Sequence, residues 1–273
     1  MFDKQTPRTP YGSALAMVEL IYHATVREVR KAHGNAVWGL VMNMLQTVIL
    51  VGIFYFMFTI LGLKKNAVRG DFVLYIMSGI FMFMTHIKAM GSVVGSEGPA
   101  SAMMKHAPMN TLVAICSAAL ASLYTQLLSA SMVLFIYHVA INPIEFYDPT
   151  GTVAMFLLAW FSGVSVGMLF LSAKPWAPDA VSIISSIYSR ANMIASGKMF
   201  LANSLPAYML PFFDWNPLFH TIDQARGFAF INYNPHYSSI TYPVLLSITL
   251  IMLGLLGEFF TRKRVSMSWN AKR

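Results

Sequence analysis

The chain has 273 residues, of which 56% are hydrophobic and only 11% are charged. Soluble domains usually carry about 25% charged residues, so the composition excludes an ordinary water-soluble domain and predicts one all-α integral membrane domain. The formal net charge of +8 could suggest nucleic acid. The basic residues instead flank apolar runs, without a stripe of stacking aromatics, so we expect no nucleic-acid partner.

A charged but partly apolar segment precedes the first apolar run. Within residues 13–33, apolar residues recur at helical spacing opposite charged ones, which predicts an amphipathic helix on the membrane surface. A solvated helix packed on another protein is the alternative. The apolar positions are Leu15, Val18, Tyr22, Val26 and Val29.

Six apolar runs then follow, each of a length that can cross a bilayer. The predicted spans are residues 36–63, 72–95, 111–140, 152–173, 179–203 and 243–260. Between the second and third spans, residues 96–110 are polar and broken by Pro99 and Pro108, which predicts a short helical connector outside the bilayer. Within the spans, Gly91 with Gly95 and Gly163 with Gly167 are small-residue pairs that favour close helix packing.

Residues 204–242, between the fifth and sixth spans, are rich in proline and aromatic residues. Asn216 and Pro217 predict a helix start, because Asn caps free amides and Pro fits the first helical position. Asp223 and Arg226 would then form an i, i+3 pair on its polar face. These segments are too short to cross and predict re-entrant helices, which need burial in protein. A plain extracytoplasmic loop is the alternative.

Six spans place both termini on one side of the membrane. Most lysines and arginines lie on that same side, which indicates the cytoplasm. The cluster Lys64, Lys65 and Arg69 is an exception whose role the sequence does not explain. Residues 1–35 lack a short apolar core followed by a small-residue cleavage site, so we expect no removable signal peptide.

The predicted fifth span carries a cation near its middle. Arg190 lies roughly 16 Å along a helix from Asp179, near the centre of a hydrocarbon core about 30 Å thick. A guanidinium at that depth normally faces a partner or a water-filled cavity. We therefore predict that Arg190 faces a conduit. The alternative is that it binds backbone carbonyls or a helix C-terminus.

A positive charge or an aromatic ring marks the other candidate residues of a substrate pathway. Lys198 adds a second cation to the same span. Aromatic side chains could stack on sugar rings, although most membrane aromatics face lipid or form interfacial belts. The aromatic candidates are Trp160, Tyr188, Phe212, Phe213 and Trp215.

Motifs for catalysis are missing from the sequence. Residues 196–199 (SGKM) resemble a phosphate-binding loop, but the earlier glycine and the Ser or Thr after the lysine are absent. The histidines have no metal-ligand spacing and no nucleophile elbow occurs. We therefore expect no catalytic residue, no metal and no cofactor on this chain, and a protein that conducts its substrate.

Three segments carry a resemblance to a known family, the ABC-2 type permeases of ATP-driven exporters. They are residues 27–38 (REVRKAHGNAVW), residues 105–110 (KHAPMN) and residues 215–220 (WNPLFH) followed by Arg226. The order of elements is closest to permeases that export capsular polysaccharide or O-antigen. Ala32 and His33 depart from the family, which more often has basic and aromatic residues there.

This resemblance implies partners as well as a fold. Two copies would form the pore, and two ATP-binding cassette subunits carrying ATP and Mg would bind beneath. Residues 96–106 would be the coupling helix, with Glu97, Lys105 and His106 as contacts, and Asn216, Pro217 and Arg226 would belong to the family motif. The substrate would be a lipid-linked polysaccharide leaving through the bacterial inner membrane, in some systems toward a periplasmic adaptor and outer-membrane export proteins.

Two other functions stay open at this point. The same superfamily includes exporters of drugs or lipids, and loss of surface polysaccharide in a deletion strain would separate the two. A membrane enzyme acting on lipid-linked sugars is the third hypothesis. The spans contain no paired carboxylates for such chemistry, which disfavours it.

Overall fold

The computed structural model describes residues 10–31, 36–62, 71–96 and 111–270, with side chains described for residues 14–30, 37–62, 71–96 and 111–261. This part of the chain is helical and contains no strand. Its helices, in chain order, are α1 (Pro10–Lys31), α2 (Ala36–Ile60), α3 (Phe72–Val94), α4 (Thr111–Ala140), α5 (Pro149–Ala173), α6 (Pro178–Ala195), α7 (Pro217–Ala229) and α8 (Thr241–Asn270), with 3-10 turns at Ala202–Ser204 and Leu210–Phe212.

Five of these helices are long and apolar enough to cross a membrane, which makes the chain a multi-pass helical membrane protein. They are Val37–Ile60, Phe72–Val94, Thr111–Ala140, Pro149–Ala173 and Thr241–Thr261. Large apolar side chains on α2 and α8, such as Phe56 and Phe259, are exposed, as expected for helices that face lipid.

The predicted span 179–203 does not form one continuous helix. Its helix, α6, has 18 residues and ends at Ala195, and it is not among the helices long and apolar enough to span. The chain turns at Gly197, whose φ of 72° lies in the left-handed region that glycine adopts without a steric penalty. Residues beyond that turn leave the helix axis.

Hydrogen bonds between helices define the two ends of the bundle. At one end, Lys174 Nζ after α5 donates to Val94 O at the end of α3, 2.8 Å away. At the other, the Tyr137 hydroxyl near the end of α4 donates to Asp71, which precedes α3. We call these the Val94 end and the Asp71 end. Thus α3 and α5 run parallel, and α4 runs antiparallel to them.

The outer helices follow the same two ends. Phe58 near the end of α2 contacts Phe72 at the start of α3, so α2 begins at the Val94 end. Trp176 Nε1 donates to Thr261 Oγ1, 3.0 Å away, so α8 returns to the Val94 end. The described chain therefore has the start of α2 and the return of α8 at the same end of the bundle.

Close packing of α3 on α5 depends on the absence of side chains at two glycines. A Cβ on Gly163 would lie 2.3 Å from His86 O, and one on Gly167 would lie 2.9 Å from Met90 O. The prediction of a packing role for this pair is confirmed. For Gly91 it is not, because a Cβ there would meet no atom of the described residues within 4 Å.

The first helix, α1, packs against α4 but leaves part of its apolar face uncovered. Leu15, Val18 and Tyr22 are all exposed, Leu15 by 71%. An amphipathic helix with an uncovered apolar side fits the predicted position on a membrane surface, where that side would contact lipid.

Candidate functional site

The Asn-Pro motif joins the end of α6 to the start of α7. The buried Asn216 amide nitrogen donates to Ala195 O, 2.9 Å away, and to Asn192 Oδ1, 2.8 Å away. Its Oδ1 accepts from the backbone N–H of Leu218 at 3.0 Å, and Pro217 occupies the first helical position. One side chain thus caps the last turn of one helix and the first turn of the next.

Arg226 is the fully buried cation of this region, with 0% of its surface exposed. Its Nη1 donates to Gly197 O at 3.0 Å and to Phe200 O at 2.6 Å. Its Nη2 donates to Lys198 O at 2.6 Å. The guanidinium carbon lies 4.2 Å from the centroid of the Tyr75 ring. The guanidinium therefore holds the carbonyls of the turn that follows α6.

Asp223 does not form the predicted pair with Arg226; no ion pair joins the two in the part of the chain described. Instead, Asp223 Oδ1 accepts from the Ala202 backbone N–H at 3.2 Å and from the Tyr233 hydroxyl, and Oδ2 accepts from Ser238 Oγ at 2.7 Å. Burial and the adjacent carboxylate both raise the pKa of Tyr233, so this hydroxyl stays a donor.

Lys198 is buried, with 3% of its surface exposed. Its Nζ lies 3.5 Å from the centroid of the Phe83 ring and 4.9 Å from that of Phe54, and it has no hydrogen-bond partner among the described residues. In this arrangement the ammonium does not reach the surface. Its predicted contact with substrate would require it to leave these rings.

Tyr188 ties α6 to the centre of the bundle. Its hydroxyl lies 2.9 Å from His86 Nε2, and His86 Nδ1 lies 2.9 Å from Ser162 Oγ. Because Ser162 Oγ donates its proton to Ala159 O, it accepts from Nδ1–H, which leaves Nε2 to accept from Tyr188. The hydroxyl is therefore engaged inside the protein, and its predicted role toward substrate stays a prediction.

Arg190 lies on the opposite, exposed side of α6. Its neighbours at helical spacing, Ile183, Ile187 and Ile194, are exposed as well. No hydrogen bond or ion pair reaches Arg190 from the described residues. The alternative considered for it, binding to backbone carbonyls, is instead what Arg226 does. Arg190 therefore points away from this chain's own core.

The remaining aromatic candidates divide into packed and exposed rings. Trp160 Nε1 donates to Ala119 O at 2.9 Å, which joins α5 to α4. Phe213 lies between the rings of Phe200 and Phe219, at centroid distances of 4.9 and 6.0 Å. Phe212 and Trp215 are exposed by 70% and 56%, and Trp215 Nε1 donates to Phe212 O at 2.7 Å. Only this last pair offers open ring faces.

Several predictions concern residues outside the described ranges. The coupling contacts Glu97, Lys105 and His106 lie there, as does most of the connector 96–110. Among the described residues, no group of three or more His, Cys, Asp or Glu side chains is placed to hold a metal ion.

The sequence analysis did not identify the residues that Tyr188, Asn216 and Arg226 contact inside the protein. His86 is a polar residue in an apolar run, and that is a signal by which its buried network could have been found. Asn192 and Tyr75 give no comparable signal, because the residues that they contact, Asn216 and Arg226, are distant in sequence. Asp223 was singled out only as a partner of Arg226, whereas it binds Ala202, Tyr233 and Ser238.

No protein-family model matches the chain, and no curated protein matches it significantly.

Proposed function

We propose that this chain is the membrane-spanning permease subunit of an ATP-driven exporter that moves a lipid-linked polysaccharide across the bacterial inner membrane. In this proposal two copies form the pathway, and separate ATP-binding cassette subunits bind and hydrolyse ATP with Mg. The carrying observation is that the residues of the resemblance, Asn216 and Arg226, are buried and hold the end of α6 to α7.

The physical support comes from how irregular backbone is accommodated. Residues 196–216 are mostly non-helical, and such backbone is tolerated at membrane depth only where protein satisfies its polar groups. Arg226 donates to three carbonyls there, and Asp223 accepts one N–H. We therefore propose that α6 and residues 196–203 make a sixth crossing, and that α7 with the preceding turns is re-entrant and closes the Asp71 end.

The exposed position of Arg190 on α6 supports the choice of cargo. Arg190 is exposed beside apolar residues of a helix that packs on the bundle by its other side. If two copies face one another through α6, both guanidinium groups line the space between them. A cation lining a water-filled path attracts an anionic polymer and disfavours cations. The Val94 end would then face the cytoplasm and the ATPase.

The first experiment combines co-purification of the tagged chain with the phenotype of a strain that lacks the chain. The tagged chain should bring down a separate ATPase, and deletion of residues 96–106 should abolish that association. The strain lacking the chain should lose its surface polysaccharide. A strain that keeps its polysaccharide but accumulates a drug or a lipid would instead support an exporter of that other cargo.

A second experiment isolates the pathway. Arg190→Ala should lower polysaccharide export while assembly and ATPase binding stay normal, because no described residue bonds to this side chain. Arg190→Lys keeps the charge and should restore most export. Normal export by Arg190→Ala would remove Arg190 from the pathway.

A further inference from the structure

A cavity of about 710 Å³ lies between α1, α2, α3 and α4, on the opposite side of α3 from the contact with α5. Its volume falls within the range of about 300–1,000 Å³ that is typical of small-molecule sites. The proposed transport function makes no use of it. It is lined by Glu28, Val29, Val37, Gly39, Leu40, Met42, Asn43, Gln46, Lys88, Ser92, Ala121, Ser122, Tyr124, Thr125, Gln126 and Leu128.

Part of the wall of this cavity is polar, although the cavity lies among apolar helices. Gln126 Nε2 donates to Asn43 Oδ1 at 3.0 Å, and Asn43 Nδ2 donates to Ser129 Oγ at 3.0 Å. These amides satisfy one another and keep one side of the cavity hydrophilic. Polar side chains inside a membrane protein are costly and mark sites of function.

Lys88 supplies the positive charge. Its Nζ donates to Gln46 Oε1 at 2.8 Å. An ammonium has three N–H donors, and no other described residue accepts from this one. The remaining donors are free for an anion in the cavity. Lys88 precedes Val94 by six residues, so its backbone lies about 9 Å from the end of α3. From there its long side chain can extend to the depth of the lipid headgroups.

The other charges of the site lie on α1. Glu28 lines the cavity, and Arg27 Nη2 lies 4.0 Å from Glu28 Oε1. Arg27 on the same helix offsets part of the charge of this acid. Lys88 is the cation among the residues that line the cavity. The lining residues Val37 on α2 and Tyr124 on α4 are exposed, so the cavity meets the outer surface of the described chain at these two helices.

We infer that the cavity binds the phosphate-bearing headgroup of a glycerophospholipid from the leaflet at the Val94 end. The phosphate accepts hydrogen bonds from Lys88 Nζ, and the acyl chains lie on the exposed apolar surface of α2 and α4, which includes Leu45 and Leu127. A free phosphate ion would leave this apolar surface unused. The inference does not depend on the transported cargo.

The test measures phospholipid retained by the purified full chain in detergent. Native mass spectrometry during titration with phosphatidylglycerol should show one tightly bound lipid per chain. Lys88→Gln should weaken that binding about tenfold, the effect of losing one charge-assisted hydrogen bond. Arg30→Gln, which removes an exposed cation of α1 that does not line the cavity, is the matched control and should bind as the unaltered chain does.

Two further variants keep the test informative if Lys88→Gln folds poorly. Lys88→Arg should retain the lipid because the charge is kept. Gln46→Glu places a carboxylate beside the ammonium on an exposed position of α2, and should release the lipid without removing Lys88. Equal lipid binding by Gln46→Glu, Lys88→Gln and Arg30→Gln would overturn the inference.

Competing ligands separate the possible sources of the phosphate. Dioleoylglycerol, which lacks phosphate, should not displace phosphatidylglycerol, and millimolar inorganic phosphate should not displace it either. Displacement by dioleoylglycerol would mean that the site recognises only acyl chains, and displacement by inorganic phosphate would mean a free-anion site. Stronger binding of an isoprenyl phosphate than of phosphatidylglycerol would assign the cavity to a lipid carrier. Each of these results would refute the glycerophospholipid assignment.

Discussion

The buried guanidinium of Arg226 should contribute more to stability than any exposed cation of the chain. Arg226→Met keeps an unbranched side chain of similar length but removes the donors to Gly197 O, Lys198 O and Phe200 O. A buried polar group that loses its partner costs about 1–3 kcal/mol. The three carbonyls that lose their donor would each add such a cost. The sum is partly offset, because folding no longer has to remove the guanidinium from water. We expect a net loss of about 3–5 kcal/mol in the free energy of unfolding.

The measurement is reversible unfolding by dodecyl sulfate in lipid–detergent micelles, followed by tryptophan fluorescence. Arg190→Met is the control, because it makes the same chemical change at an exposed residue and should stay within about 0.5 kcal/mol of the unaltered chain. Arg226→Lys should fall between the two, since a lysine cannot reach all three carbonyls in the geometry of a guanidinium. Equal stability of Arg226→Met and Arg190→Met would refute the role assigned to these hydrogen bonds.

Three smaller predictions follow from the packing and the polar network. Gly163→Ala should destabilise the bundle by about 1–3 kcal/mol, because its Cβ would press on His86 O. Gly91→Ala should cost nothing, since the added Cβ has no described atom within 4 Å. Tyr188→Phe leaves His86 Nε2 without its donor and should cost about 1–3 kcal/mol in the same unfolding assay. Burial alone would raise the pKa of Asp71, but hydrogen bonds from neighbouring side chains and backbone amides lower it below its ordinary 3.8. Its stabilising contribution is therefore complete above about pH 4 and is lost as pH falls toward the folded-state pKa; a pH series should show this loss, and Asp71→Asn should abolish that pH dependence.

Local patterns were sufficient to predict most of the helices. The five apolar helices follow from the order of residues along the chain, because a run of apolar residues long enough to cross a bilayer is a property of consecutive positions. The start of α7 is equally local, since Asn216 and Pro217 satisfy the first helical turn wherever the helix lies. The packing role of Gly163 and Gly167 was also predicted, because small residues four apart share one helix face.

The extent of α6 was not predictable in this way. Residues 179–203 read as one apolar run, but the helix ends at Ala195. The positive φ of Gly197 and the capping of Ala195 O by Asn216 together end it there. Asn216 lies 21 positions after Ala195. The residues of the apolar run therefore do not by themselves indicate where the helix ends.

The sequence by itself determined that this is a helical membrane protein, because hydrophobic transfer depends on which residues occur consecutively and not on where they pack. Only the tertiary structure decided which of the two arginines is buried. Arg190 and Arg226 carry the same guanidinium, yet one is exposed and the other is enclosed by three carbonyls and a tyrosine ring. That choice depends on hydrogen bonds between segments 26 to 29 residues apart, which exist only once the chain has folded.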